Sequence, residues 1–371
     1  MSETAVQQIP SSSPLTVQRW SPERWFASQP EWEALEKISA SDALFLGWDW
    51  VTQWWQTFGA ELGEPDVRAF YRNGNLVGLA PLYRRRVRRA GLPALSVQFM
   101  GLAWREPRPL ISEYLDVIAP VHEIEGVRRA CAQTLLQDPS WSEFVVGFSD
   151  SAERWRAEFD SDPRAYSRDL DHATTYHADL SAGFASYLRQ LHQSTRRSIW
   201  NLRRRLAHYG HVKWETVAAE DLRSGFADLN RLHDLRWHKP AFNAERLRFH
   251  EQLASRLATR DEARLSRLSV GGRVVSVLYD LRKRSSQYNI KMAFDPGFNS
   301  QVSLGLLHLG YAMEEAAREG VCRYDFLAGP GQRSDFKRLL SQRRAKLSCL
   351  QVLRGSLLPR LFRWRDRIRY R

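Results

Sequence analysis

Cysteine is scarce in this chain of 371 residues: there are three, Cys131, Cys322 and Cys349, far apart and odd in number. No CxxC pair and no Cys/His ligand spacing occurs, so the sequence supports neither a disulfide framework nor a zinc site. No Ser-His-Asp order stands out either. Long apolar runs are missing; none approaches the roughly 20 residues that span a bilayer. The first residues, MSETAVQQIPSSSPLTVQRW, lack a basic-then-apolar signal pattern and read as a polar lead-in, which makes a cytoplasmic location the default. Acidic residues are the minority, 42 against 55 Lys and Arg, for a net charge of +13. That balance points to anionic partners such as a phosphate-bearing cofactor, nucleic acid or lipid headgroups, although any one Arg cluster also reads as a solvated face.

What the chain does contain is apolar and aromatic. It is 43% hydrophobic, with 14 Trp and 17 Phe, which excludes a disordered chain. Its length favours two domains, each able to bury its own core. The expected fold class is α/β (α+β), each half a mixed, mostly antiparallel sheet flanked by helices. The expected units are a lead-in over 1–25, a first domain over 26–170, a second over 171–355 and a basic amphipathic tail over 356–371.

In the first half, Phe45, Trp48, Val51, Trp55 and Phe58 approximate helical spacing before Gly59, with Asp42 a possible cap. An aromatic stripe of this kind reads as packing. Asn73-Gly74 between apolar runs predicts a β-hairpin. Strands are expected over 94–103, 114–120 and 141–150, with a helix over 122–137. A polar boundary falls between 150 and 179, followed by a short strand at TTYHADL. Helices are then expected over 181–210, with a break near Ser194, over 219–239 and over 244–262.

The stretch from 274 to 340 organises the second half. VVSVLYDL (274–281) and SQYNIKMAF (286–294) are strand-like. FDPGFNSQVS breaks the second strand and feeds an amphipathic helix over 304–320, with Gly320 as C-cap. CRYDFLAG is a further strand, ended by Gly329-Pro330-Gly331, and Cys322 beside it reads as a small core residue. The free N–H groups and dipole of a helix start favour an anion. Asn299, Ser300, Gln301, Ser303 and Gly305 are small or polar enough to let a pyrophosphate approach; an ordinary crossover loop fits the same pattern. Aligning Asn73-Gly74 with Gly271-Gly272 places Leu79 on Val277 and Arg84 on Arg282, the mark of a duplicated unit. In the first half the helix opens with His122, Glu123 and Glu125. Those carboxylates would repel a phosphate, so an anionic cofactor belongs to the second half.

The order of elements resembles the GNAT acyltransferase fold, and its repetition resembles the tandem-GNAT proteins, including the Fem peptidyltransferases. It resembles in particular the CelD/BcsL group of acetyltransferases associated with cellulose and exopolysaccharide synthesis. The residues that carry the likeness are FLGWDWVTQWWQTFG, STRRSIWNLRRRLAHYG, LNRLHDLRWHKPAF and AFDPGFNSQVSLGLLHLGYAMEEAAREGVCRYDFLAGPGQRSDFKRLL. The resemblance implies acetyl-CoA or another acyl-CoA as co-substrate, without a metal. The CoA pyrophosphate would lie on the Q/R-x-x-G-x-G/A loop, whose place is taken by Gln301-Val302-Ser303-Leu304-Gly305-Leu306 with altered spacing and one glycine fewer. The thioester carbonyl would meet the main chain of Asn289, Ile290 and Lys291. A Lys that follows a Tyr-Asp-Phe strand in Fem-like proteins, and is implicated in holding charged substrate groups, corresponds to Lys337 after Tyr324-Asp325-Phe326.

Acyl transfer needs a base for the acceptor, donors for the oxyanion and a proton for the leaving thiolate. Asp325 is a candidate base, Lys337 a candidate for neutralising charge and Tyr288 a further catalytic candidate. The alternatives are an ion-paired strand-end carboxylate for Asp325 and a core aromatic for Tyr288. Arg236, Trp237 and Lys239 end a helix that borders the acceptor cleft in this fold; a cation cluster complementing the helix dipole explains them as well. His308 reads as structural. Three functions follow: acyl-CoA-dependent transfer to an amine or hydroxyl of a sugar or polysaccharide precursor; Fem-like transfer from aminoacyl-tRNA, prompted by the basic 196–205 helix; or a non-catalytic module of a polysaccharide synthase. The tail SLLPRLFRWRDRIRYR, with apolar residues amid Arg, prompts a peripheral contact with the inner membrane; a short helix packed on the second domain is the alternative.

Overall fold

The computed structural model describes residues 13–41, 44–299, 301–328 and 335–369. Asp42, Ser300 and the Gly329 to Gly331 corner lie outside the described residues. The fold is mixed α/β. Its first half supplies strands β1 (Thr16–Arg19), β2 (Glu64–Arg72), β3 (Asn75–Arg89), β4 (Leu92–Phe99) and β5 (Glu143–Ser149). Then come β6 (Ala165–Asp179), β7 (Val212–Thr216), β8 (Ala263–Val270), β9 (Arg273–Lys283), β10 (Ser286–Phe294), β11 (Arg323–Asp325) and β12 (Arg343–Arg354). Among the described residues these form one sheet in the order β1-β2-β3-β4-β5-β12-β6-β11-β10-β9-β8-β7.

The two hairpins are where turn chemistry puts them. Asn73 and Gly74 both have positive φ, as do Gly271 and Gly272, which is what a tight two-residue turn demands. Each half repeats one device, an antiparallel hairpin extended by a third strand and then a helical crossover to a parallel fourth. β4 pairs in parallel with β5 after helix Ile124–Gln137, and β10 with β11 after helix Leu304–Arg318. Leu79 and Val277, equivalent in the repeat, are both fully buried. The sheet stays whole because β12 leaves the second half and inserts between β5 and β6, antiparallel to both.

Several expectations are corrected. Residues 16–25, expected within a polar lead-in, form β1, which pairs with β2, and most of the short helix Pro22–Phe26 capped by Ser21. Residues 114–120 make isolated bridges, Leu79 to Ile118 and Ser39 to Pro120, rather than a strand. TTYHADL is only the end of β6, whose earlier residues are half-buried polar ones that a hydrophobic pattern does not reveal. Gly59 does not end the aromatic helix. The chain widens into a π turn over Trp55–Gly59 and continues to Leu62; Gly59 lies against the Trp55 ring, where any side chain would collide with it. Phe45, Trp48, Val51, Trp55 and Phe58 are all buried in the core. That core crosses between halves: Trp50 meets Phe249 edge-on at 5.1 Å, and Phe58 stacks on the same ring at 5.8 Å. Cys322 is exposed, not a core residue.

Candidate active site

The second-half sheet opens where β10 and β11 separate. They pair over only Ser286↔Arg323, Gln287↔Tyr324 and Tyr288↔Asp325. β10 then runs on to Phe294 while β11 stops. The stop is local: Asp325 accepts from the Leu327 amide at 2.8 Å, an Asx turn, and Leu327 takes a left-handed φ of 54°. On the other side of the opening, β10 shifts register against β9 between Asn289 and Lys291, so Ile290 has no opposite number. Such a bulge redirects the next side chain and interrupts the ladder beside it.

Asp325 is the hub of the junction. Fully buried, it accepts from the Tyr114 hydroxyl at 2.6 Å and Thr175 at 3.0 Å, and pairs with Arg323. Burial, then the Asp325 charge, push the Tyr114 phenol far up, so it remains a donor. With its oxygens engaged from four directions, Asp325 has no lone pair directed at an acceptor proton. These contacts tie the end of β11 to Tyr114, Thr175 and Arg323. Tyr288 is buried too, edge-on to Phe45 at 6.2 Å, with the Arg323 guanidinium 5.7 Å from its ring centre.

Lys337 reaches back to the end of β11 and donates to the carbonyls of Leu327 and Ala328, both at 2.9 Å. An ammonium has three N–H donors, and among the described residues the third has no partner. Burial lowers the Lys337 pKa, while Glu113 and Asp325 nearby act to raise it. Glu113 in turn accepts from the Ala328 amide with both oxygens, at 3.0 and 2.9 Å.

Lys291, just past the bulge, is half-buried and has no carboxylate partner among the described residues. Burial lowers its pKa first, followed by the like charges of Lys239 and Arg246. The structure therefore brings Lys291 together with the helix end expected to border the acceptor. Helix Leu222–Trp237 closes on His238 in the left-handed conformation, and His233 Nδ1 donates to the Lys239 carbonyl at 2.8 Å. Arg236 lies 4.4 Å over the Phe294 ring of β10, and Trp237 is partly exposed. Lys239, Lys291 and Arg246 thus gather positive charge beside this helix end.

The helix start expected to hold a pyrophosphate is only partly open. The Gln301 amide bonds the Asn299 side chain at 2.8 Å, the Val302 amide the Asn299 carbonyl at 3.2 Å, and the Leu304 amide the Val302 carbonyl at 3.0 Å. The Asn299 amide group also donates to the Tyr209 hydroxyl. Val302 and Leu304 are buried in an apolar cluster, and a Cβ added at Gly305 would lie only 3.0 Å from Met292 and Phe294. Ser303 at the N-cap makes no side-chain cap. Among the described residues the amides of Ser303, Gly305 and Leu306 have no internal acceptor. These amides form a short edge at the helix start, narrower than a glycine loop. The Asn289 side chain turns away from it and donates to the buried Asp280 at 2.8 Å. At the equivalent helix of the first half, Glu123, buried at the N-cap, pairs with Arg72 at 2.8 Å.

Glu113, Tyr114, Thr175 and Arg323 escaped sequence reasoning. Glu113 and Tyr114 lie more than two hundred residues before the site, and only the sheet brings them to it. The left-handed φ of Tyr114, 56°, is a sign of special placement, but one invisible in sequence. His308 sits wholly buried between Ser266 and Ser276, 2.9 Å from each.

Residues 193–338 match the family model described as the acetyltransferase (GNAT) domain. Among solved structures the chain is similar to FemX, with 13% identity and a TM-score of 0.60 over 90% of this chain and 96% of that one. It is also similar to a conserved protein of unknown function from Bacteroides thetaiotaomicron, with 10% identity and a TM-score of 0.52 over 92% of this chain and 100% of the other. At such identities the likeness is one of fold. No curated protein matches the sequence. The second half thus holds a segment similar to the GNAT acetyltransferase domain, within a fold shared with FemX across both halves.

Proposed function

We propose that this chain transfers an acyl group from acyl-CoA to an amine or hydroxyl of a saccharide or polysaccharide precursor, in the opening between β10 and β11. The observation that carries the reading is that opening: the bulge at Ile290 on one side, and Leu327, Ala328 and Lys337 on the other. The donor supplies an activated thioester. The chain fits it with the uncapped start of helix Leu304–Arg318 and the main chain of Asn289 to Lys291. Lys337 aims its spare N–H at developing oxyanion charge, where a preorganised donor acts most strongly. Asp325 and Tyr114 fix the strand end that presents Leu327 and Ala328. Arg236, Lys239 and Lys291 suit an acceptor bearing phosphate or carboxylate, such as a phosphate-linked sugar.

Calorimetric titration with acetyl-CoA and longer acyl-CoAs tests the donor. Micromolar binding supports the reading, and no heat with any of them removes it. One observation favours a second donor, aminoacyl-tRNA: the self-bonded amides of Gln301, Val302 and Leu304 leave little room for a pyrophosphate. Against it, Arg203 of the basic helix is spent internally, pressed between Trp200 and Tyr311 at 3.7 Å from each ring and paired with Glu314. Salt-sensitive binding of aminoacyl-tRNA, with none of acyl-CoA, would select that alternative.

A further inference from the structure

Helix Leu358–Arg369 carries two apolar faces. One is already used. Leu358 and Phe362 are buried against Ala94 and Leu353, and Asp366 one turn on pairs with Arg168 at 2.8 Å and accepts from Tyr166 at 3.0 Å. Arg363 donates to the Ala165 carbonyl at 2.8 Å. These bonds fix the helix about its axis. The second face is left outward. Leu357, Leu361, Trp364 and Ile368 are 65%, 36%, 63% and 57% exposed. Their 4-3-4 spacing makes a single stripe, about 130° round the helix from the buried one at 3.6 residues per turn. Large apolar side chains exposed singly need no explanation, but four in one stripe do.

Charge borders the stripe. Arg365 lies on one side, Arg360 and Arg367 on the other, all exposed and none paired with a carboxylate among the described residues. The β3–β4 hairpin packs beside this helix through Val87 and Leu92. Arg105, close enough to Arg365 for the like charge to lower its pKa after burial has done so, adds another. An apolar stripe of Leu, Ile and Trp rimmed by arginine is the pattern of a helix lying in the plane of an anionic bilayer, apolar side down and guanidiniums at the headgroups.

We infer that this face is a docking surface for an anionic lipid membrane. It places the protein at a bilayer by one rigid helix already anchored to the sheet, and it does not depend on the acyl-transfer reading. The test is flotation of the full chain with phosphatidylcholine vesicles, alone and with about a third phosphatidylglycerol. The wild type is expected to float with the anionic vesicles, to remain below with the neutral ones, and to be released by salt. Leu361→Ser, Trp364→Ser and Ile368→Ser combined should weaken binding at least tenfold. Arg360→Gln, Arg365→Gln and Arg367→Gln combined should weaken it on the order of a hundredfold. Both sets alter exposed positions, and an unchanged thermal midpoint confirms folding. Wild type that floats with neither vesicle overturns the inference, as does a triple-serine variant that floats undiminished. A wild-type dimer in sedimentation velocity that the serine variant dissociates, without vesicle binding, assigns the face to a second copy instead.

Discussion

Lys337 holds two carbonyls and, among the described residues, keeps one N–H in reserve. Lys337→Met removes that donor, and kcat should fall on the order of a hundredfold with KM for the donor little changed. Lys337→Arg should not restore it, because a planar fork cannot replace a compact ammonium between the Leu327 and Ala328 carbonyls. Steady-state kinetics on both variants decide this. Asp280 is a different case. Buried among Tyr324, Gln287 and Asn289, its carboxyl is pushed up by burial to about 6. A carboxyl raised in the folded state binds its proton more tightly there, so its contribution to stability falls as pH rises from about 4 to about 6. Asp280→Asn should therefore gain on the wild type by up to about 3 kcal/mol across that window, read as the difference between their urea midpoints at each pH. The buried His250 and His308, both lowered to about 3 by burial, act in the opposite direction but are common to both proteins and cancel. At this scale the sequence shows which groups can do chemistry, not which are saturated. That Tyr114 and Thr175, distant in the chain, both bond Asp325 is not legible in the sequence around it.

Helices and hairpins were the legible elements, since their signals are local: Asn73-Gly74, the Gly271-Gly272 pair, and the apolar period of 304–318. β12 gave no such signal. Its Arg-Arg-Ala-Lys opening is polar, and its partners lie in the other half of the chain. Two variants probe helix Leu304–Arg318. At the start, Ser303→Asp supplies the missing cap and should stabilise the protein by about 1 kcal/mol. The same carboxylate would occupy the amide edge there, so KM for an acyl-CoA donor should rise at least tenfold. A rise in thermal midpoint with unchanged KM would exclude this helix start from donor binding. Midway, Gly310 meets the π turn Arg197–Asn201: a Cβ there would lie 2.1 Å from the Ile199 carbonyl oxygen. Gly310→Ala gains about 1 kcal/mol in helix propensity, but overpacking of about 1–3 kcal/mol opposes it, and the clash here is with backbone. The expected outcome is a lower urea midpoint, the reverse of an ordinary helical Gly→Ala.

The molecule as a whole is tied by one late strand. β12 pairs with β6 along its full length and with β5 beside it. Its Gln351 donates to Glu143 of β5, which Arg89 of β3 also holds through two bonds of 2.6 and 2.8 Å. Two halves sharing a sheet and a core should unfold together. Calorimetry is expected to show one transition, with van't Hoff and calorimetric enthalpies agreeing; two resolved transitions would refute this. The same placement governs birth on the ribosome. While the second half is being made, β5 and β6 stand with a vacant slot between them and their edges bare, ready to recruit a neighbouring nascent chain. Cells expressing this protein should need a holding chaperone during that interval.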